Sequence, residues 1–156
     1  MIAQFNDLEK SWDRYPKSKA KRAFRGDTIR ISKSYDLLNN FIEKHPITGG
    51  QKETQPFDQI IQIKQIFFTS AQASMSYVAT KSILWDLHLE DGHRGINDTE
   101  SGYPSEDEIT FPIDTQVQIT ALHYLPEDTS YLDNKSDFGT KHRYVVEGVI
   151  KGAAVS

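Results

Sequence analysis

Apolar residues recur at helical or strand spacing in separate stretches of the chain. Ile2, Phe5, Leu8 and Trp12, three or four positions apart, predict a short N-terminal helix. Leu37, Leu38, Phe41 and Ile42 form the apolar face of a second helix over residues 36–43, which Ser34 can cap and His45-Pro46 ends. Elsewhere the period shortens to two. Residues 28–32 read as a strand opening after a Gly26 turn, and residues 48–56 as a loop. Over residues 59–70, Ile61, Ile63 and Phe67 fit a strand, although Ile60, Lys64 and Phe68 also fit a helix; the strand is preferred. In residues 82–89, Ile83, Trp85, Leu87 and Leu89 share one face and Asp86 and His88 the other. Residues 115–125 repeat the device with Val117, Ile119 and Ala121, and residues 143–149 close the series with Val145, Glu147 and Val149. These five strands and two helices predict an α+β fold: an antiparallel β-sheet with one or two packed helices and a basic N-terminal arm. The helix and arm would occupy residues 1–26, and a single globular domain residues 27–156.

Composition supports a folded chain. With 156 residues, 37% hydrophobic and 11% aromatic, it falls in the globular class and can bury roughly two-thirds of its unfolded surface. The absence of cysteine excludes disulfides, thiolate metal sites and cysteine nucleophiles. The first ten residues carry acids and no continuous apolar core, so no secretory signal is read there and the expectation is a protein that is not secreted. The sequons at Asn97 and Asn134 are then chance matches. No apolar run approaches the roughly 18 residues of a membrane span.

Charge changes the picture more. Residues 14–33 carry eight Lys and Arg against the single acid Asp27, while residues 34–156 carry nine bases against eighteen acids. A basic segment on an acidic body fits a protein that holds a polyanion. Arg14, Lys17, Lys19, Lys21, Arg22 and Arg25 are therefore candidates for contact with an anionic surface, lipid or nucleic acid. Trp12, Tyr15 and Phe24 are too few and too irregular for a base-stacking platform. Between residues 86 and 114 nine acids face one base, Arg94, in a stretch with no apolar periodicity before Ile109, which reads as a long exposed loop. Its Asp98, Glu100, Glu106, Asp107 and Glu108 could meet the basic segment of a second copy and drive self-association; a solvated loop is the plainer reading.

No motif assigns a catalytic residue, a metal or a cofactor. Asp86, His88, Glu90, Asp91 and His93 crowd together, with His123 on another strand, but no zinc or calcium spacing is present. Gly49-Gly50-Gln51-Lys52 lacks the spacing of a phosphate loop, and no Gly-x-Ser-x-Gly or Gly-x-Gly-x-x-Gly occurs. Arg25-Gly26-Asp27 spells an integrin tripeptide, which an unexported chain would not use. The shared Leu-His and acidic turns at residues 87–91 and 122–128 are too short for a repeat.

The order of these pieces, a basic N-terminal region, a strand at 28–32, a helix at 36–43, Pro56-Phe57 before an Ile-rich segment, a strand at 115–123 running into Glu127 and Asp128, then Ser136-Asp137-Phe138 and a closing strand, resembles the matrix proteins of rhabdoviruses, particularly a plant-virus member. The resemblance implies a non-enzymatic virion protein that self-associates and bridges an anionic membrane and a viral ribonucleoprotein, through Lys17, Lys19, Lys21, Arg22 and Arg25. It would act in the virion and host cytoplasm as a peripheral membrane protein, without a small-molecule substrate. There is no Pro-Pro-x-Tyr motif, so budding is not implied. Two alternatives remain open: a small capsid or coat protein whose basic arm binds packaged genome, and a metal-dependent enzyme using His88, Glu90, His93 and His123.

Overall fold

The computed structural model describes residues 17–45, 51–71, 81–98, 105–126 and 142–152. Their elements run β1 (Arg22–Asp27), a 3₁₀ helix (Ile29–Ser34), α1 (Asp36–Lys44), β2 (Glu53–Ile63), β3 (Phe67–Ser70), β4 (Ile83–Leu89), β5 (Ile96–Asp98), β6 (Ser105–Phe111), β7 (Thr115–Tyr124) and β8 (Tyr144–Ile150). The strands form one sheet in the order β2-β7-β8-β4-β1-β3-β6-β5. Neighbours are antiparallel except β4 and β8, which run parallel from Ile83↔Tyr144 to Leu89↔Ile150. A parallel pair needs a long crossover, and the chain between β4 and β8 supplies it by building β5, β6 and β7 on the way.

The expected fold is corrected on three points. The sheet is mixed rather than antiparallel, and one α-helix is present among the described residues. The basic arm is also replaced. Its second half is β1, an interior strand paired with β4 from Arg22↔His88 to Asp27↔Ile83, and of residues 28–32, expected as a strand, all but Thr28 belong to the 3₁₀ helix. Two of the bases assigned to an anionic surface are counter-ions within the fold: Arg22 places a two-pronged fork on the fully buried Asp86, at 2.8 and 2.7 Å, and Arg25 bonds Asp27. Ahead of β1 the backbone is fastened by Ser18 N–H to Gly95 O, Leu89 N–H to Lys21 O and a bridge between Lys17 and Ile96. The expected N-terminal helix lies outside the described residues.

Two further strands, β5 and β6, stand inside the acidic segment expected as a loop; Ile96, Ile109 and Phe111 are buried there. The single strand expected over residues 59–70 is two, since β2 ends at Ile63 and β3 starts at Phe67.

The helix α1 buries Leu38 and Phe41, one turn apart, while Asp36 in its first turn and Lys44 in its last complement the helix dipole. Tyr35 rather than Ser34 precedes the first turn, and no side chain caps it. Trp85, at the centre of β4, meets Tyr35 and Phe67 edge-on at 5.6 Å each. This aromatic group packs the helix side of the sheet at β1 and β3.

Candidate functional site

Three adjacent strands converge polar groups at one place. The pairing register sets Phe24 of β1 opposite Ser70 of β3, and Ser70 opposite Glu108 of β6. Directly paired residues hold their Cβ atoms about 4.5 to 5.5 Å apart, so the buried Ser70 hydroxyl and the exposed Glu108 carboxylate are neighbours. A cavity of about 310 Å³ opens there, lined by Phe24, Arg25, Phe68, Thr69, Glu108 and Thr110. Phe68 is 58% exposed at its rim, and Thr69 Oγ1 donates to Ile109 O at 2.8 Å, tying β3 to β6.

Arg25 joins this cavity to a second one of about 500 Å³ between the 3₁₀ helix, α1 and strands β2 and β3, whose walls include Asp27, Tyr35, Gln59, Gln62 and Lys64. Its guanidinium is held on three sides. Nε donates to Asp27 at 2.9 Å, Nη1 donates to Phe68 O at 2.9 Å, and the group lies 4.9 Å from the centre of the Phe67 ring. Burial pushes the Asp27 carboxyl above its ordinary range, with Arg25, Trp85 and Lys81 pulling the other way; burial likewise raises the Tyr35 hydroxyl. A fixed cation, a hydroxyl beside a carboxylate and an exposed aromatic rim can together hold an anionic ligand and stabilise positive charge developing on it.

The residues singled out from the sequence are dispersed. Lys17, Lys19 and Lys21 line a separate cavity of about 640 Å³ with His93 and Arg94. Arg22 is on Asp86, and Arg25 is in the site. Arg14 and Glu100 fall outside the described residues, as do the side chains of Asp98, Glu106 and Asp107, although their backbones belong to β5 and β6. Of the acids proposed for self-association, Glu108 lies in the site. Glu90 accepts from Gly152 N–H at 3.2 Å.

The histidines do not converge. His93 Nδ1 accepts from Gly95 N–H and its Nε2 donates to Ala20 O, whereas His123 Nδ1 meets Thr54 Oγ1 at 2.8 Å. Asp86, His88 and Glu147 bring donor atoms within 4.8 Å of one another, a spacing a metal ion could use. The Arg22 fork already occupies both Asp86 oxygens, so a cation there would face a guanidinium.

Ser70, Thr69 and Phe68 were given no site role from the sequence, and Asp27 was noted only as the one acid of the basic segment and within the integrin-type tripeptide. Arg25-Gly26-Asp27, Thr69-Ser70 and the two Glu of 106–108 are each too common to signal alone. Only the strand order brings them together.

No protein-family model and no curated protein matches the sequence. Solved structures do. The C-terminal toxin domain of RHS2 from Yersinia entomophaga superposes with a TM-score of 0.87 and 34% identity, over 97% of this chain and 68% of that one. C3larvin toxin, an ADP-ribosyltransferase from Paenibacillus larvae, gives a TM-score of 0.55 and 16% identity over 96% and 70% of the two chains. BECa, an ADP-ribosylating toxin of a C. perfringens binary enterotoxin solved with NADH, gives 0.60 and 16% over 94% and 34%.

These structures overturn the resemblance to rhabdovirus matrix proteins, whose pattern rested on common residue types. With it falls the expectation of a non-enzymatic virion or coat protein, because the fold is one that ADP-ribosylating enzymes share. The expected partners, a second copy, an anionic membrane or a ribonucleoprotein with no small-molecule substrate, are corrected too: a neighbour of this fold was solved with a dinucleotide.

Proposed function

The chain belongs to the same family as the C-terminal toxin domain of RHS2 from Yersinia entomophaga, and from that membership and the shared fold we propose that it is a toxin domain that transfers ADP-ribose from NAD to an acceptor nucleophile. The observation that carries this reading is the row of Ser70 and Glu108 on adjacent strands beside the fixed guanidinium of Arg25.

Each group has a part. Arg25 holds the dinucleotide's diphosphate, for which a guanidinium offers paired N–H donors. When the bond between ribose C1′ and the nicotinamide nitrogen breaks, its electron pair leaves with neutral nicotinamide, and positive charge develops at C1′ and the ring oxygen. Glu108 stabilises that charge and accepts hydrogen bonds from the ribose hydroxyls, as carboxylates do in glycoside transfer. The acceptor then bonds to C1′ and gives up its proton, for which Glu108 is the base. Ser70, facing Glu108 in register, orients the carboxylate by its hydroxyl.

Nicotinamide release from NAD, with and without a cell lysate as acceptor source, tests the reading. Glu108→Gln keeps the shape and removes the charge, so turnover should fall by about 10²- to 10³-fold with folding intact. Wild-type protein that neither releases nicotinamide nor labels any acceptor, or a Glu108→Gln variant as active as wild type, would defeat it.

A further inference from the structure

Asp27 sits in the site without a part in the transfer chemistry. It is two residues from Arg25 on β1, so both side chains leave the same face of the strand. Asp27 is 7% exposed, and its carboxylate accepts from Arg25 Nε at 2.9 Å. The bond to Phe68 O and the Phe67 ring fix the same guanidinium from other directions. Resting on the transfer reading, we propose that Asp27 is a positioning residue: its carboxylate holds the Arg25 guanidinium, ahead of substrate, in the orientation that receives the diphosphate of NAD.

The physical case is that a long, flexible cation loses rotamer freedom when it clamps a ligand, and a partner that fixes it beforehand spares the complex that loss. A purely structural origin for Asp27 fits poorly. Arg25 on β1, Trp85 on β4, Lys81 just before β4 and Tyr35 just before α1 are the titratable or polar groups that bear on it, and together they do not offset its burial, which raises its pKa. The ionised carboxylate is thus held where folding disfavours it, as expected of a group kept for the site.

Calorimetric binding of NAD, nicotinamide release and thermal melting of wild type, Asp27→Asn and Asp27→Glu test this, with Glu108→Gln as reference. Asp27→Asn should weaken NAD binding and raise KM about tenfold, leave kcat within about twofold, and not lower the melting temperature. Asp27→Glu, which keeps the charge, should recover part of the affinity. Tight NAD binding by wild type and equally tight binding by Asp27→Asn would overturn the positioning role while leaving the transfer reading intact. Wild-type protein that binds no NAD would overturn both. Should Asp27→Asn not fold, the pH dependence of NAD affinity in Glu108→Gln decides: affinity should fall on acidification as Asp27 takes up its proton, and a flat profile overturns the role.

Discussion

Asp27, His123 and His142 are buried titratable side chains, and they tie stability to pH in opposite directions. The folded pKa of Asp27 lies above 3.8, so over the window between the two values the folded state keeps a proton that the unfolded state has lost, and stability falls as pH rises. At neutral pH its ionised form weighs against folding, so Asp27→Asn should melt no lower than wild type even as NAD binding suffers. His123 and His142 do the reverse. Burial lowers both below 6.5, while His142 Nδ1 donates to Lys81 O at 2.8 Å and Glu147 stands 3.8 Å from His123. Unfolded chains bind protons there before folded ones, so stability present above 6.5 is lost as pH falls toward the folded values. Denaturant midpoints measured between about pH 7.5 and 5.5 should therefore drop, and His142→Gln should flatten the drop. An unchanged slope in that variant would remove His142 from the account.

Strand β8 shows how tightly the elements fit. Gly148 pairs with Leu87 of β4 and Ile119 of β7, and a Cβ there would stand 2.9 Å from Val117 Cγ1 and 3.0 Å from Gln118 O. The valine can turn, but the carbonyl belongs to the ladder between β7 and β8. Gly148→Ala should destabilise by about 1 to 3 kcal/mol, read as a lower denaturant midpoint at unchanged slope; a neutral result would mean that the two strands slide apart freely. The elements also show what the sequence could and could not reveal. The alternations of β4, β7 and β8 and the apolar face of α1 are visible because their apolar residues recur at the strand or helix period, even though β4 is buried on both faces from Ile83 to Leu87. By contrast, β1 is masked because Arg22 and Arg25 find carboxylates inside the fold, and β6 because its acids precede the buried Ile109 and Phe111. Charge was a poor guide to exposure in both. The candidate site suffered doubly: Arg25 and Glu108 were visible as a base and an acid, but they come from segments read as arm and loop, and Ser70 joins them only through the order β1-β3-β6.

At the scale of the molecule, the groups proposed to grip NAD come from β1, β3 and β6, strands separated by more than 80 residues of sequence between Arg25 and Glu108. A ligand held by all three binds the folded chain and not the unfolded one, so it must stabilise the whole fold by mass action. At a free concentration of about 100 times its dissociation constant the gain is about 2.7 kcal/mol, and for a chain of this size each kcal/mol moves the melting temperature by roughly 2 to 4 °C. NAD should therefore raise the melting temperature by roughly 5 to 11 °C in wild type. ADP-ribose, which keeps the diphosphate, should retain much of that shift, and nicotinamide alone little, because Arg25 is assigned to the diphosphate. Arg25→Ala should abolish most of the response to both nucleotides, whereas Glu108→Gln should preserve it while losing turnover. A melting temperature indifferent to NAD, or an Arg25→Ala variant that responds like wild type, would show that the cleft beside β1 is not where a dinucleotide binds.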